Sequence, residues 1–145
     1  MAIKNTVKDL MQANPVIVSP DATLQEAAAQ MRSIDCGCLP VGTRDRVEGV
    51  ITDRDIVLRA VASGTDPAAA RVRDHMTPNV CFCSESDTPE HAAELMRDNG
   101  VSRLLVQDAA GRVCGILTFG RILREDGSVR EIMKVIESAV GKKAA

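Results

Sequence analysis

Aromatic residues are almost absent from this chain: among 145 residues there is no Trp or Tyr, and Phe occurs twice. Proteins that hold single-stranded nucleic acids stack the bases on aromatic side chains, so this mode of binding is excluded. The formal net charge is −2, which means that the basic surplus of a duplex-binding protein is missing as well. We therefore expect no nucleic-acid partner.

Long apolar runs are also missing. No stretch approaches the ~18 residues that a transmembrane helix requires, and the segment 1–10 contains Lys4, Lys8 and Asp9 where a signal peptide would have an apolar core. We expect a cytoplasmic protein that does not contact a membrane and whose cysteines are reduced thiols. The fractions of hydrophobic residues (45%) and charged residues (26%) are those of a globular protein.

The chain consists of two copies of one pattern. At an offset of 65 residues, the aligned pairs include Val7 with Val72, Asp9 with Asp74, Met11 with Met76, Thr23 with Thr88, Met31 with Met96 and Leu39 with Leu104. After one inserted residue the alignment continues, and Gly49 and Thr52 match Gly115 and Thr118. A register kept over half of the chain indicates a duplication, and two long copies are not a solenoid.

Each copy predicts the order β-α-β-β-α, which makes the fold class α+β. The predicted elements are an extended run (Val16–Ser19; Val80–Ser84), a helix that starts after Thr23 or Thr88, two strands (Leu39–Val41 and Val47–Ile51; Arg103–Val106 and Val113–Leu117) and a second helix (Asp53–Ala62; Phe119–Glu125). The repeats are assigned to 1–65 and 66–127, and the tail 128–145 contains a further helix, Ser128–Val140. Because a repeat of about 65 residues buries only ~60% of its unfolded surface, we expect the two repeats to share a pseudo-two-fold core.

The stretch at the end of the third predicted strand of the first copy carries the candidate chemistry. Gly49 permits the close approach of another backbone or of a ligand, and Thr52 and Asp55 stand at the start of the following helix. A carboxylate there can accept two hydrogen bonds from the vicinal hydroxyls of a ribose, while the unpaired N–H groups of the helix start suit a phosphate. The same Thr-x-x-Asp spacing is also an ordinary capping box. The spacing leaves a ligand site and a structural cap as alternatives.

The corresponding stretch of the second copy keeps Thr118 but has Arg121 in place of the carboxylate. A guanidinium carries only hydrogen-bond donors and cannot accept from a ribose. A ribose site built by this stretch is therefore expected once in the chain and not twice.

These features together resemble a tandem pair of CBS (cystathionine β-synthase) domains, called a Bateman module. The resemblance rests on the duplication, the Asp-x-Met motif that opens each copy, Leu39-Pro40-Val41 and Gly49-x-x-Thr52-x-x-Asp55, and it covers about residues 5–125. It implies a regulatory, energy-sensing module that binds an adenosyl ligand (AMP, ADP, ATP, S-adenosylmethionine or NAD) between the two repeats and forms a homodimer.

The resemblance also implies roles for individual residues. The implied nucleotide-binding residues are Thr52 and Asp55 (ribose and phosphate), Arg103 and Arg54 (phosphate), and Ile17 and Val18 (adenine). We expect an adenine nucleotide that acts as a ligand and not as an obligatory cofactor. By bridging Asp55 and Arg103, the ligand would clamp the copies together and shift a conformational equilibrium that a protein partner reads.

Four of the five cysteines form two Cys-x-Cys pairs, Cys36 with Cys38 and Cys81 with Cys83. Residues i and i+2 of a strand point to one face, so each pair can chelate a soft metal such as zinc. The spacing is shorter than that of common zinc sites, and the second pair aligns with two apolar valines of the first copy. Buried structural thiols are therefore the favoured interpretation, and a metal site or a redox disulfide are the alternatives.

Three functions stay open on the sequence. The favoured one is an adenosyl sensor with one site. The alternatives are a protein–protein interaction module with vestigial nucleotide sites and a thiol-based metal or redox sensor. An enzyme is not expected, because no activated nucleophile and no acid–base pair is visible beyond Thr52 and Asp55.

Overall fold

The computed structural model of the chain describes residues 5–125 and residue 137. The helix predicted for Ser128–Val140 lies outside the described residues, apart from Glu137. The described elements are α1 (Val7–Leu10), β1 (Gln12–Ala13), α2 (Leu24–Ile34), β2 (Cys38–Gly42), β3 (Val47–Thr52), α3 (Asp53–Asp55) with a π-helical continuation (Ile56–Val61), a 3₁₀ turn (Val72–Asp74), β4 (Phe82–Ser84), α4 (Pro89–Asn99), β5 (Arg103–Gln107), β6 (Val113–Thr118) and α5 (Phe119–Glu125). None of these described helices has the length and the apolar character needed to cross a membrane.

The chain divides into two compact units that do not coincide with its two halves. The first unit consists of residues 15–80, and the second unit combines residues 1–14 with residues 81–145. The boundary predicted after residue 65 separates the two copies of the repeated sequence pattern. The units are built from different sets of residues, because each takes a short segment from the other copy.

The first unit is built on the antiparallel hairpin of β2 and β3, in which Cys38 lies opposite Thr52. Helix α2 begins after Thr23, as predicted, at a capping box in which the side chain of Thr23 accepts a hydrogen bond from the N–H of Glu26 at 3.1 Å. Its residues Leu24, Ala27 and Met31 are buried in the core of the unit. That core consists of Val18, Leu24, Ala27, Met31, Leu39, Val41, Ile51, Ile56, Ala60 and Val72.

The second unit has a four-stranded sheet in the order β1-β6-β5-β4. Strand β4 is parallel to β5, and the other pairs are antiparallel. Helix α4 has Thr88 as its N-cap and ends at Gly100, whose φ of 64° is a left-handed conformation that glycine adopts at little cost. The core of this unit consists of Val7, Leu10, Met11, Cys83, Ala92, Met96, Leu104, Val106, Leu117 and Ile122.

The segment that opens each copy packs into the core of the other copy. Val7 and Leu10 are buried among residues of the second copy, and Val72 is buried among residues of the first. The exchange also involves the backbone, since the N–H of Leu24 donates to the carbonyl of Ala70 at 3.0 Å. Each core thus contains residues of both copies. A single pseudo-two-fold core shared by the two repeats stays a prediction.

Within residues 5–125, the predicted strand pairs and helices are confirmed, with small differences at their ends. The helix predicted for Asp53–Ala62 begins as an α-helical turn and continues as a π-helix. Helix α1, strand β1 and the 3₁₀ turn escape prediction, because segments of 4, 2 and 3 residues are too short to show a hydrophobic period.

The extended run predicted for Val16–Ser19 is wrong as a strand, since it forms only one isolated parallel bridge. Val18 donates to the carbonyl of Pro40 at 3.0 Å and accepts from the N–H of Gly42 at 2.9 Å. The next bond of a parallel ladder on either side would need the N–H of Pro40 or of Pro20, and proline has none. The two prolines therefore limit the pairing to a single bridge.

The second copy has neither proline and pairs over a longer stretch. Leu105 and Glu85 stand at the corresponding positions. The N–H of Leu105 donates to the carbonyl of Cys81, and the N–H of Glu85 donates to the carbonyl of Gln107, both at 2.9 Å. The replacement of a proline by Leu105 therefore explains why β4 is a strand whereas its counterpart is not.

Candidate ligand-binding site

The junction between β3 and α3 contains the two polar residues that the sequence singles out. Thr52 is the N-cap, and its Oγ1 accepts a hydrogen bond from the N–H of Asp55 at 3.0 Å. Asp55 Oδ2 accepts in return from the N–H of Thr52 at 3.1 Å. The capping-box interpretation is therefore confirmed. It does not compete with the ligand interpretation, because an ionised carboxylate has about four acceptor positions and the cap uses one of them.

The Asp55 carboxylate lies in a nearly buried, polar environment. Only 12% of its side-chain surface is exposed. The hydroxyl of Thr77 lies 3.3 Å from each carboxylate oxygen, and Arg59 Nε lies 3.6 Å from Oδ1. The carboxylate thus accepts a hydroxyl hydrogen bond from within the protein, which is the interaction that a ribose can replace.

Thr77 is held beside Asp55 by the glycine that precedes the junction. Val50 and Thr77 exchange two backbone hydrogen bonds, of 2.9 Å and 2.8 Å. A Cβ atom on Gly49 would lie 2.6 Å from the carbonyl oxygen of Thr77, a distance that two such atoms do not tolerate. Of the two roles predicted for Gly49, the structure shows the approach of a backbone segment.

Arg59 connects Asp55 to that same segment. Its Nη1 donates to the carbonyl oxygens of His75 at 3.3 Å and of Met76 at 3.1 Å. Sequence reasoning missed both neighbours of the carboxylate. The spacing of Asp55 and Arg59, four residues apart on a helix, is a signal that would have found the ion pair. Thr77 has no such signal, because its aligned residue in the first copy is Gln12.

The other residues predicted to bind the nucleotide lie in different environments. Arg54 and Arg103 are exposed, Ile17 is half-buried, and Val18 is buried in the core of the first unit. Arg103 belongs to the second unit. No hydrogen bond or ion pair of the described residues of the first unit links the side chains of Arg54, Ile17 or Val18 to Asp55. The roles predicted for all four residues stay predictions.

The junction of the second unit differs at the predicted position. Thr118 Oγ1 accepts from the N–H of Arg121 at 3.2 Å, so half of the capping box is kept. The guanidinium of Arg121 extends away from the cap, and its Nε donates to the carbonyl of Leu10 at 2.8 Å. Within the described part of the chain, a carboxylate capable of accepting from a ribose is thus present at one of the two junctions.

The cysteines are all free thiols. Cys38 and Cys83 are buried in different units, while Cys36 and Cys81 precede their strands and are half-buried. The Sγ of Cys36 lies 3.2 Å from the carbonyl of Cys38. Among the residues that the structure describes, no three or more His, Cys, Asp or Glu side chains are grouped so as to hold a metal ion.

Two thiols of the second unit have raised pKa values, which lower their reactivity. Burial raises the pKa of Cys83 to about 12, and the nearby charge of Asp87 adds to the effect. Burial and a hydrogen bond to Glu85 raise the pKa of Cys114 to about 11. Because the thiolate is the nucleophilic form, both thiols are expected to be inert at neutral pH.

We expect Cys83 to make stability fall at alkaline pH. The unfolded thiol loses its proton near its ordinary pKa of 9.0, while the folded one keeps it until about 12. Between these values the folded state binds more protons, so the free energy of unfolding decreases as the pH rises. Urea unfolding measured across this window checks the effect, and Cys83→Val, which introduces the residue of the aligned Val18, should reduce the decrease. An equal decrease in the variant would contradict the assignment to Cys83.

Comparison with known proteins connects this architecture to a family. The family model of the CBS domain matches residues 7–61 and 72–128. Hypoxic response protein 1 of Mycobacterium tuberculosis is 33% identical over 120 residues, which are 82% of this chain and 83% of that protein. The crystal structure of hypoxic response protein I with two coordinated zinc ions matches with a TM-score of 0.69 at 33% identity, over 83% of this chain and 98% of that one.

Two further solved structures are similar in fold. A CBS domain pair in complex with 5′-methylthioadenosine and S-adenosyl-L-methionine matches with a TM-score of 0.75 at 27% identity, over 88% of this chain and 99% of that one. A hexameric CBS-CP12 protein from bloom-forming cyanobacteria matches with a TM-score of 0.77 at 25% identity, over 88% of this chain and 75% of that one. The chain therefore belongs to the CBS domain family and contains two CBS domains.

Proposed function

We propose that this protein is a regulatory sensor that binds an adenosyl ligand through the ribose, at the carboxylate of Asp55. The observation that carries the proposal is the environment of that carboxylate. It is largely shielded from water, and both of its oxygens lie within hydrogen-bond distance of a hydroxyl, that of Thr77. The similarity to a CBS domain pair in complex with two adenosyl compounds supports this class of ligand.

Binding would replace the hydroxyl of Thr77 at the Asp55 carboxylate by the two vicinal hydroxyls of a ribose. The vicinal hydroxyls of a ribose supply two donors, and a carboxylate accepts both through its two oxygens. The bond from the N–H of Thr52 to Oδ2 uses a separate lone pair and is compatible with this exchange. Thr52 would therefore keep the carboxylate oriented while the ligand takes the place of Thr77.

The exchange also supplies a route from the ligand to the rest of the protein. Arg59 contacts Asp55 and donates to the carbonyls of His75 and Met76, and Thr77 follows directly in the chain. A ligand that takes over the carboxylate removes the bond of the Thr77 hydroxyl and weakens the ion pair with Arg59, while the backbone bonds between Thr77 and Val50 can stay. The proposed output is a shift in the population of conformations of the segment 75–77.

We also infer that the protein self-associates, as the hexameric relative does. Val57, Leu58 and Val61 lie on the π-helical segment, and 53%, 51% and 60% of their surfaces are exposed. Neighbouring exposed apolar side chains of this kind favour burial in an assembly. That the assembly has two subunits stays a prediction.

The direct test is binding of adenosine, AMP, ATP and S-adenosylmethionine to the wild type and to Asp55→Asn, measured by calorimetry and by thermal unfolding. A bound compound at about 100 times its dissociation constant should stabilise the fold by ~2.7 kcal/mol. Asn keeps the shape and the cap but loses the charge. Hydrogen bonds to charged groups contribute roughly 1.5–3 kcal/mol, so we expect the affinity to fall about 10- to 100-fold.

The matched control is Asp53→Asn, which makes the same change of charge at an exposed residue two positions earlier. Its affinity should stay within about twofold of the wild type. Absence of binding by every adenosyl compound, or an equal loss in both variants, would overturn the proposal. The first of these outcomes would favour the alternative of an interaction module with vestigial sites.

A further inference from the structure

One arginine of each unit donates to a carbonyl at the same position of an opening segment. In the first unit, Arg59 Nη1 donates to the carbonyls of His75 and Met76, at 3.3 Å and 3.1 Å. In the second unit, Arg121 Nε donates to the carbonyl of Leu10 at 2.8 Å. Leu10 aligns with His75 at the offset of 65 residues. The two guanidiniums therefore meet equivalent backbone groups.

These carbonyls lie at the end of the short helical turn that opens each copy. Equivalent hydrogen bonds close the two turns, since the N–H of Met11 donates to the carbonyl of Val7 at 2.8 Å and the N–H of Met76 donates to the carbonyl of Val72 at 2.9 Å. The last carbonyls of a helix have no partner within it, and a basic side chain can supply one. Each arginine thus ties the end of an opening segment to the helix that follows β3 or β6.

The two arginines reach these carbonyls from different positions of the repeat. Arg121 aligns with Asp55, and Arg59, four residues after Asp55, aligns with Glu125. The replacement of the carboxylate by Arg121 therefore has a structural consequence besides the loss of a ribose acceptor. It supplies the donor that the first copy places one helical turn later.

Among the described residues, only the first of these two arginines is paired with a carboxylate. Arg59 Nε lies 3.6 Å from Asp55 Oδ1, so a change at that carboxylate acts on the guanidinium that holds the segment 75–77. The ion pairs of the described residues do not include Arg121. Its guanidinium is bonded to a backbone carbonyl, and the residue is half-buried. This attachment has no carboxylate through which a ligand or a proton could weaken it.

We propose that Arg121 is a positioning residue that holds the opening segment of the second unit in place whatever the state of Asp55. The corresponding attachment in the first unit, made by Arg59, depends on that carboxylate. The response of the opening segments is thereby confined to the first unit. The inference goes beyond the function proposed above, because it does not require that a ligand binds.

The test is amide hydrogen exchange of the full chain without a ligand, measured by NMR at the aligned N–H groups of Met11 and Met76. Their exchange reports local opening of the two segments. Arg121→Met keeps an apolar stem and removes the donor, so exchange should accelerate about tenfold or more at Met11 and stay within about twofold at Met76. Asp55→Asn removes the charge beside Arg59. It should accelerate exchange about three- to tenfold at Met76 and leave Met11 within about twofold.

The matched control is Arg124→Met, which removes the same charge from an exposed position on the same helix and should leave both amides within about twofold. Arg121→Lys restores a charged donor and should recover most of the protection at Met11, which packing of the side chain alone does not predict. Unchanged exchange at Met11 in Arg121→Met, or equal acceleration of both amides in Arg121→Met or Asp55→Asn, would overturn the proposal. Because no ligand is present, failure of the proposed adenosyl site would leave these results unchanged.

Discussion

Replacement of Val72 by Asp is expected to destabilise the protein by about 3 kcal/mol or more, because an unpaired charge buried in an apolar core costs several kcal/mol. Val72 has 0% of its surface exposed and lies in the core of the first unit. Native domains are stable by only ~5–15 kcal/mol. At roughly 3–4 °C per kcal/mol for a chain of this size, the melting temperature should fall by about 10 °C.

Urea unfolding followed by circular dichroism measures this effect. The matched control is Ala69→Asp, which adds the same charge to an exposed residue of the same segment and should change the free energy of unfolding by less than about 0.5 kcal/mol. Similar values for the two variants would mean that the opening segment of the second copy does not complete the core of the first unit. The comparison therefore tests the exchange of segments directly.

Replacement of Gly49 by Val should destabilise the protein by about 1–3 kcal/mol, the usual cost of overpacking. The Cβ atom would lie 2.6 Å from the carbonyl oxygen of Thr77 and 3.0 Å from Met76 Sδ. The sulfur belongs to a flexible side chain, but the carbonyl is fixed by the paired hydrogen bonds with Val50. The segment must therefore move, and the hydroxyl of Thr77 should be lost from Asp55.

Intrinsic propensity predicts the opposite sign, because valine is favoured in strands and glycine is not. The control Glu48→Val introduces the same residue one position earlier on β3, at an exposed site. It should be neutral or slightly stabilising in urea unfolding. If Gly49→Val is as stable as Glu48→Val, the close approach of Thr77 is not what requires the glycine.

Local patterns predicted much of this fold. The capping boxes at Thr23 and Thr52 were readable because they join residues three positions apart. The hairpins were readable because alternation and turn residues act over similarly short distances. The prediction of a strand at Val16–Ser19 was wrong, although the reason can be read from the sequence. Pro20 and Pro40 lack the two N–H groups that would have continued the ladder.

The candidate site was predicted in part. Its carboxylate could be read from the Thr-x-x-Asp spacing, and the absence of a counterpart could be read from Arg121. The neighbours of the carboxylate could not all be predicted, because Thr77 is 22 positions from Asp55 in the chain. A contact of that length depends on where the backbone runs, and no periodicity or propensity of either residue encodes it.

The duplication, the order of elements and the restriction of a ribose acceptor to the first copy follow from the amino-acid sequence, because each depends on residue identity or on short spacings. Tertiary structure decided which core each opening segment completes, and it decided that Thr77 and Arg59 share the carboxylate. Both outcomes depend on the path of the chain. Val7 and Val72, which open the two copies, are both valine, and both cores are apolar. Residue identity therefore does not decide which core each segment enters. The hydrogen bonds that direct Val72 into the first unit, such as the one between Leu24 and Ala70, form only once the chain has folded.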